Sequence, residues 1–277
     1  MVATPLGNRR DITLRALDIL GSADIVAAED TRVTTPLLRH FGIATRPVSV
    51  REHNESARAG EIIAALREGR SVALVSDAGT PAVSDPGARL VRAVRAAGLA
   101  IVPVPGPSAT IAAISAAGLG AEGFIFLGFL PKTPKARREA LASVASLGHA
   151  LVIFEAPHRV CATICELAAA LGGEREIVIA RELTKRFETI ARMRLGEALD
   201  WFAADSNRER GEFVLVIDAP EGAANRGTTS SAEVERWLRA LLGELPPSRA
   251  ARVVAAVTGQ SRDDVYARAL ALKSADG

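Results

Sequence analysis

The chain has 277 residues, of which 48% are hydrophobic and 24% charged, and its formal net charge is +2. This length predicts two or three globular modules with a substantial buried core. Only 4% of the residues are aromatic, which excludes an extended platform of rings for stacking bases, and the small net charge leaves any attraction to phosphate to a local patch.

The first part of the chain alternates short β-rich runs with longer helical patterns. The predicted strands are residues 24–29, 47–50, 72–76 and 100–104, and the predicted helices are residues 12–20, 55–68 and 88–97. Strands that alternate with helices favour a largely parallel sheet with both faces covered and its carboxyl edge open to ligands. We therefore predict an N-terminal α/β domain over residues 1–118.

The second part follows a glycine-rich hinge predicted at residues 118–123. Its predicted strands are residues 124–127, 150–155, 177–181 and 212–218, and its predicted helices are residues 135–147 and 160–171. Extended segments lie close together near its end, which favours a mixed sheet in a second α/β domain over residues 119–222. A polar linker at residues 221–229 and three short helices predict a C-terminal helical module over residues 228–277.

Features of the whole chain favour a cytoplasmic protein without a metal. No apolar run approaches the ~18–20 residues of a membrane span, and the N-terminal segment lacks the apolar stretch of a signal peptide. The two cysteines, Cys161 and Cys165, lie four apart in an apolar helical segment. We expect them to be buried thiols, because the sequence has no third thiol that would complete a metal site with them.

Four β-like runs end in loops rich in glycine and proline. The loops are VATPLGNRRD at residues 2–11, LVSDAGTPAVSDPG at 74–87, VPVPGPSA at 102–109 and VIFEAPHR at 152–159. Each alone could be a tight turn, but four at the same edge favour a small-molecule crevice, because small residues let a ligand lie against the backbone. The sequence GxxxxGK[ST] is missing, and no GxGxxG follows the first strand, so the loops indicate a ligand other than a nucleoside triphosphate or a Rossmann dinucleotide.

Eight motifs in a fixed order resemble those of the tetrapyrrole methylase superfamily, and most of all its branch that methylates small-subunit ribosomal RNA. They are residues 2–8, AAEDTR at 27–32, residues 74–87, PGPSA at 105–109, GFLPK at 128–132, EAPHR at 155–159, ARELTK at 180–185 and GEFVLVI at 211–217. The resemblance covers nearly the full chain. It implies two α/β domains of tetrapyrrole-methylase type that flank a cofactor cleft, with a small C-terminal helical module.

The resemblance also implies an activity and a set of cofactor-binding residues. The activity is 2′-O-methylation of the ribose of a cytidine in the decoding region of 16S rRNA, with S-adenosylmethionine as cofactor, by a homodimer that acts on the 30S subunit. Two alternatives stay open, a tetrapyrrole methyltransferase and a non-catalytic RNA-binding module with a vestigial pocket. The implied cofactor-binding residues are Pro5, Ser76, Asp77, Ala78, Gly79, Thr80, Ser108, Ala109, Phe154, Ala180, Arg181, Glu182 and Leu183.

The chain departs from the family pattern in two places. Members of the family usually carry several residues before the motif at Val2, so we expect a shortened first strand or a missing start. Phe154 and Ala156 stand where the family often has tyrosine and serine. We expect neither replacement to harm cofactor binding.

The catalytic prediction rests on acidic residues at strand ends. A ribose hydroxyl is a weak acid that benefits from a general base. The main candidates are Glu29, Asp30 and Glu155, and His158 and Glu182 are further candidates. Asp30 has an equally good structural interpretation, paired with Arg32 or capping a helix. His53 is predicted at the same edge, but a lone histidine is more often structural. The residues alone leave the base unassigned.

The predicted RNA contacts lie in PKTPKARR at residues 131–138, which carries four basic residues before any acid. Such a patch can neutralise phosphates, although a charge run is usually only the solvated start of a helix. Given the family resemblance, RNA contact is favoured. The predicted RNA-binding residues are Lys132, Lys135, Arg137, Arg138, His158 and Arg159.

Overall fold

A computed structural model describes residues 1–51, 54–120, 123–145, 147–220 and 231–275. These residues fall into two compact units. The larger unit lies essentially within residues 1–218 and contains both β-sheets. The smaller unit consists mainly of residues after Asp218 and contains three helices.

The first sheet has three parallel strands, β1 (Ile25–Ala28), β2 (Pro47–Ser49) and β3 (Val72–Val75), in the order β2-β1-β3. Five helices belong to this part of the chain: α1 (Leu14–Ser22), α2 (Thr31–His40), α3 (Glu55–Arg67), α4 (Ala88–Ala96) and α5 (Ala109–Ala117). On β1, Val26 packs with residues of α1 and α2, whereas Ala27 packs with residues of α3 and α4. Successive side chains of a strand point to opposite faces, so helices cover both faces of the sheet as predicted.

The predicted strand at residues 100–104 is wrong. Only Val104 pairs, in a single parallel bridge to Val2, and its N–H donates to the Met1 carbonyl at 2.8 Å. Pro103 and Pro105 flank Val104, and proline has no N–H to donate to a ladder. The segment therefore forms a single bridge beside Val2, whose own N–H donates to Leu74 of β3, and then turns into the loop before α5.

The second sheet has five strands: β4 (Phe124–Phe129), β5 (Ala150–Glu155), β6 (Glu176–Arg181), β7 (Thr189–Arg194) and β8 (Phe213–Ile217). Their order is β4-β5-β8-β6-β7; β4 and β5 run parallel, and the other neighbours are antiparallel. The prediction of a mixed sheet is confirmed. Strands β4 and β5 run parallel and are joined by a helical connection, α6 (Pro134–Val144), so their carboxyl ends lie at the same edge of the sheet.

Three further helices accompany this sheet: α6 (Pro134–Val144), α7 (Val160–Leu171) and α8 (Ala198–Ala203). Leu151 and Ile153 of β5 pack with α6 and α7, while Val152 faces the other way and packs with Ala113 of α5. Helix α5 therefore belongs to the N-terminal part of the sequence but covers a face of the second sheet. This packing fixes the loop before α5 next to both sheets.

The predicted helices and strands that the structure contains have bounds within three residues of those observed. Elements α2, α5, α8 and β7 were not predicted. Helix α5, ATIAAISAA, is small and apolar on all sides, so it lacks the amphipathic period that reveals a helix. Helix α2 contains Pro36 and several β-branched residues, which disfavour a helix, and it depends on the Asp30 cap and on burial of Leu38.

The smaller unit contains the three predicted C-terminal helices, α9 (Ser231–Leu242), α10 (Pro247–Thr258) and α11 (Arg262–Ala275). They enclose a core of their own that includes Leu238, Val254 and Val265. Of the predicted linking segments, residues 221–229 lie outside the described residues, as do Ala121 and Glu122 of the hinge. Within the described chain, every helix is too short or too polar to cross a membrane.

Candidate functional site

All four glycine- and proline-rich loops meet around one cavity of about 270 Å³ in the larger unit. Each loop supplies part of the wall: Leu6 from the first, Ala78 to Thr80 from the second, Ser108 and Ala109 from the third, and Phe154 to Pro157 from the fourth. Strands β1 and β3 are parallel, as are β4 and β5, so the loops that follow them gather at carboxyl edges. We call this space the loop cavity.

Backbone and hydroxyl hydrogen bonds hold the first three loops together. Thr4 and Gly79 exchange two backbone hydrogen bonds of 2.9 Å, and the Thr4 hydroxyl donates to the Ser76 carbonyl at 3.1 Å. The Thr80 hydroxyl donates to the Pro107 carbonyl at 3.0 Å. Gly79 has φ +77°, a conformation that favours glycine, and a Cβ there would lie 3.2 Å from the Leu6 side chain. The first three walls of the loop cavity are therefore preorganised.

The lining of the loop cavity is mainly apolar, with one polar group that lacks a protein partner. The Phe129 and Phe154 rings meet edge to face, with centroids 5.8 Å apart. Thr110, in the first turn of α5, is 5% exposed, and its hydroxyl has no hydrogen-bond partner in the described part of the chain. A buried hydroxyl is normally paired, so the Thr110 hydroxyl indicates a ligand with a polar group at this wall.

The structure brings about half of the predicted cofactor-binding residues to the loop cavity. Those that line it are Ala78, Gly79, Thr80, Ser108, Ala109, Phe154 and Leu183. Those that lie outside the lining are Pro5, Ser76, Asp77, Ala180, Arg181 and Glu182. Pro5 and Ser76 are buried beside lining residues of their own loops, and Ala180 is buried in the sheet core.

Arg181 and Glu182 support a neighbouring loop. The Arg181 guanidinium donates to the carbonyls of Phe187, Asn207 and Arg210. Glu182 has φ +53°, and its carboxylate accepts the Glu212 N–H and the Lys185 ammonium, each at 2.9 Å. These contacts fix the segment from which Leu183 reaches the loop cavity.

Several lining residues were missed from the sequence. They are Leu6, Val83, Asp85, Thr110, Phe129, Ala156, Pro157, Glu212, Phe213 and Val214. All of them except Thr110 lie inside the eight motifs, so treating every motif residue as a candidate would have found them. Thr110 directly follows the motif PGPSA, and extending that motif by one residue would have included it.

Carboxylates cluster at the carboxyl edge of the first sheet. Asp77 accepts the Asp30 N–H at 3.0 Å, and the Asp77 N–H donates to Glu29 at 3.3 Å. Burial raises the pKa of Glu29 and of Asp77. Neither residue lines the loop cavity: Asp77 belongs to the second loop, and Glu29 contacts that loop by accepting the Asp77 N–H.

Asp30 has the structural role that the sequence left open. Its carboxylate caps α2 by accepting the Arg32 N–H at 2.8 Å, and it pairs with the guanidinium groups of Arg32 and Arg51. Hydrogen bonds from the Arg32 side chain lower the pKa of Asp30 well below its usual range. A carboxylate held by two arginines is a weak base, so Asp30 is a poor candidate for proton transfer.

Glu155 lines the loop cavity, but its carboxylate is fully engaged with the protein. One oxygen accepts the Ala156 N–H at 2.8 Å and the other accepts the Thr163 hydroxyl at 2.6 Å. The Arg159 guanidinium lies 3.3 Å away, and the Glu155 side chain is 0% exposed. These contacts indicate that Glu155 supports the fourth loop of the cavity.

The predicted RNA-binding residues separate into exposed and enclosed groups. Lys132, Lys135, Arg138 and His158 are exposed. Arg137 faces inward instead, 6% exposed, with two hydrogen bonds of 2.6 Å to Glu166, and this arrangement withdraws it from phosphate. Arg159 donates to the carbonyls of Leu130 and Pro131, which ties the basic segment to the start of α7.

The cysteine prediction needs a correction, since Cys165 is exposed and Cys161 only partly covered. A run of apolar neighbours does not show which side of a helix faces solvent. Among the described residues, no group of three or more histidine, cysteine or acidic side chains could hold a metal ion. His53, predicted at the acidic edge, lies outside the described residues.

Comparison with known proteins identifies the class. The model of the tetrapyrrole (corrin/porphyrin) methylases matches residues 1–199, and that of the RsmI C-terminal HTH domain matches residues 228–273. The crystal structure of a cobalt precorrin-4 methyltransferase superimposes with a TM-score of 0.60 at 20% identity and covers 78% of this chain and 92% of its own. The chain thus belongs to the tetrapyrrole methylases and has their fold.

Full-length relatives narrow the class to one family. The protein named ribosomal RNA small subunit methyltransferase I in Pseudomonas aeruginosa is 48% identical, over 98% of this chain and 95% of its own length. Its counterpart in Vibrio cholerae is 46% identical over 96% of this chain and 92% of its own length. The chain belongs to the ribosomal RNA small subunit methyltransferase I family.

Proposed function

We propose that this chain transfers a methyl group from S-adenosylmethionine to the ribose 2′-oxygen of a cytidine in the decoding region of 16S rRNA, cytidine 1402 in the usual numbering. The observation that carries the proposal is the loop cavity, which the four motif loops build together in a chain of this family. We also propose that the protein acts as a homodimer on the 30S subunit in the cytoplasm. We further propose that it has three domains, over residues 1–118, 119–222 and 228–277.

The lining of the loop cavity suits S-adenosylmethionine, which joins a flat purine and a ribose to a short amino acid. Gly79 and Ala78 leave room for a ligand against the backbone, and Phe129 and Phe154 offer aromatic surface to a purine or a methyl group. The unpartnered Thr110 hydroxyl can hydrogen-bond a polar group of the ligand. When bound there, the cofactor supplies an activated methyl group on a sulfonium.

The residues of the chain contribute alignment and exclusion of water. Methyl transfer is an in-line displacement, so holding the two reactants in one geometry supplies much of the rate. The hydrogen bonds that join Thr4 to Gly79 and Thr80 to Pro107 keep the cavity wall in place before any ligand arrives. An apolar part of the cavity wall is formed by Leu6, Val83 and Leu183, and it favours expulsion of water from the cavity.

RNA docking is proposed at the start of α6. Lys132, Lys135 and Arg138 are exposed there, and the segment follows β4 directly after Phe129, which lines the loop cavity. Phosphates held at this basic surface would place a neighbouring nucleotide at the mouth of the cavity. Arg137 is excluded from the proposed surface because of its pairing with Glu166.

Changing Lys132, Lys135 and Arg138 together to alanine is expected to weaken RNA binding without affecting cofactor binding. Each lost phosphate contact reduces the slope of log K against log salt by about 0.7–0.9, so the triple variant should lose about two units of slope. The measurement is binding of small-subunit particles over a salt series. The control replaces exposed Arg67, Arg92 and Arg95 of α3 and α4 with alanine. Equal slopes for the two variants would contradict the proposed surface.

The proposed reaction is tested by mass mapping of small-subunit rRNA from a strain that lacks this protein. We expect the decoding-region cytidine to lose its ribose methyl group and to regain it when purified protein and S-adenosylmethionine are added to 30S subunits. The alternative, methylation of a tetrapyrrole carbon, is tested with uroporphyrinogen as acceptor. Retention of the ribose methyl in the deletion strain would refute the proposal.

A further inference from the structure

Three acidic residues of the described chain line the loop cavity: Asp85, Glu155 and Glu212. Glu155 is fully engaged by the Ala156 N–H, Thr163 and Arg159. Glu212 forms an ion pair with Lys185 at 3.0 Å, and its side chain is 77% exposed. Within the described ranges, Asp85 has no lysine or arginine within 4.0 Å of its carboxylate, so its charge is available to a substrate.

The loop that carries Asp85 is held firmly at both ends. Buried Glu55 accepts the N–H of Gly87 at 3.1 Å and that of Leu90 at 2.7 Å, which fixes the end of the loop at α4. At the other end the Thr80 hydroxyl binds the Pro107 carbonyl. Between them Ala82 and Ser84 have φ +68° and +64°, unfavourable values that persist only where the surrounding structure enforces them. The backbone thus places Asp85 in a defined position.

This loop also meets the second sheet. Gly128 of β4 has φ +62°, and a Cβ there would lie 2.6 Å from the Ser84 hydroxyl oxygen. The positive φ favours glycine at this position, and the close approach brings the residue before Asp85 next to the strand that ends in Phe129. Asp85 therefore lies where the loops of the first sheet and the edge of the second sheet meet.

The surroundings of Asp85 make its carboxylate basic. Burial raises the pKa of Asp85 to about 6; the negative charges of Glu29 and Asp77 add to this, and a hydrogen bond with the Ser76 side chain acts against it. Other charged groups surround Asp85 on the neighbouring elements. Asp30, Arg32 and Arg51 lie near Asp77, and the cavities that Asp85 lines also contain Glu55, Arg89, Glu155 and Glu212. A base with a pKa near the working pH is well suited to accept a proton.

We propose that Asp85 is the general base that accepts the proton of the ribose 2′-hydroxyl, an inference that rests on the proposed methyl transfer. The hydroxyl proton passes to a carboxylate oxygen of Asp85. The oxygen forms its new bond to the methyl carbon, and the electron pair of the breaking carbon–sulfur bond stays on sulfur, which loses its positive charge. The protonated Asp85 returns its proton to solvent after product release.

The test compares Asp85→Asn with the wild type on 30S subunits that lack the methyl group. We expect kcat to fall by roughly 10²–10⁴, the usual contribution of a general base. In the wild type, kcat/KM should rise with pH through about 6, because kcat/KM reports the free enzyme and the carboxyl acts as a base only after it loses its proton. This limb should be missing from the variant. The dissociation constant for S-adenosylmethionine, measured by calorimetry, should change less than about 3-fold, since the role needs no cofactor contact.

Controls separate the base from a structural role and from the cofactor site. Asp18→Asn, at an exposed position of α1, should leave every parameter unchanged. If Asp85→Asn unfolds, Asp85→Glu and a ¹³C carboxyl titration of the unliganded wild type replace it; the signal assigned to position 85 should titrate near pH 6. A wild type without activity on 30S subunits would refute the methyl-transfer proposal itself. If the wild type is active, two results for Asp85→Asn would overturn the assignment of Asp85. The first is an unchanged kcat and pH profile, and the second is a loss of cofactor affinity without any other change.

Discussion

Ala109→Phe is expected to weaken binding of S-adenosylmethionine by roughly 100-fold or more, which corresponds to about 2.7 kcal/mol of binding free energy. Ala109 opens α5 and lines the loop cavity, where a benzyl group would occupy much of the roughly 270 Å³ that the cofactor needs. Ala109 is only partly buried and lines the cavity, so the larger side chain can extend into that space in the unliganded protein. Calorimetry with the purified variant measures the loss.

The matched control is Ile111→Phe, two residues along the same helix. Ile111 is 57% exposed and lies outside the lining, so the same aromatic side chain there should leave affinity within a factor of about two. Thermal unfolding of both variants checks that α5 still packs against the second sheet. Full affinity in a folded Ala109→Phe variant would show that the cofactor binds elsewhere.

The sequence predicted the loop cavity better than it predicted the residues around it. Runs of glycine, proline and small residues predict where a chain bends and where a ligand can approach the backbone, because those properties belong to single residues. Gly79 is such a case, with positive φ and a cavity-facing position. Likewise, the alternation of strands and helices predicted both faces of the first sheet to be covered.

Side-chain roles were harder to predict, because they depend on partners far away in sequence. Arg137 belongs to a basic run, yet Glu166 on α7 draws it inward. Asp85 stood inside a recognised motif, but its significance depends on Glu29 and Asp77, which lie on other segments. Helix α5 gave no amphipathic signal, because its exposed side carries apolar residues such as Ile111 and Ala116. The sequence could therefore predict where the site lies, but it could not predict which acidic residue is best suited to act as the general base.

Glu155→Ala is expected to destabilise the larger unit by about 3–5 kcal/mol, the usual effect of removing one partner of a buried charged pair. The carboxylate is fully buried and serves the Ala156 N–H, the Thr163 hydroxyl and Arg159 at once. Its removal leaves Arg159 without its anion and Thr163 without an acceptor in the interior. At about 2–4 °C per kcal/mol for a unit of this size, calorimetry should record a fall of the melting temperature on the order of 10 °C.

Glu155→Gln and Thr163→Val separate support from catalysis. Glutamine keeps one acceptor oxygen, and Thr163→Val removes a single hydrogen bond, so each should cost about 1–3 kcal/mol. If Glu155 only holds the fourth loop, both variants should lose stability together and retain kcat within about 10-fold when assayed well below their melting temperatures. A stable Glu155→Gln variant with kcat reduced more than roughly 100-fold would instead make Glu155 the base. The kcat of Glu155→Gln and the pH profile of Asp85→Asn together show which of the two carboxylates accepts the proton. Both carboxylates line the loop cavity, but only that of Glu155 is fully engaged by protein hydrogen bonds.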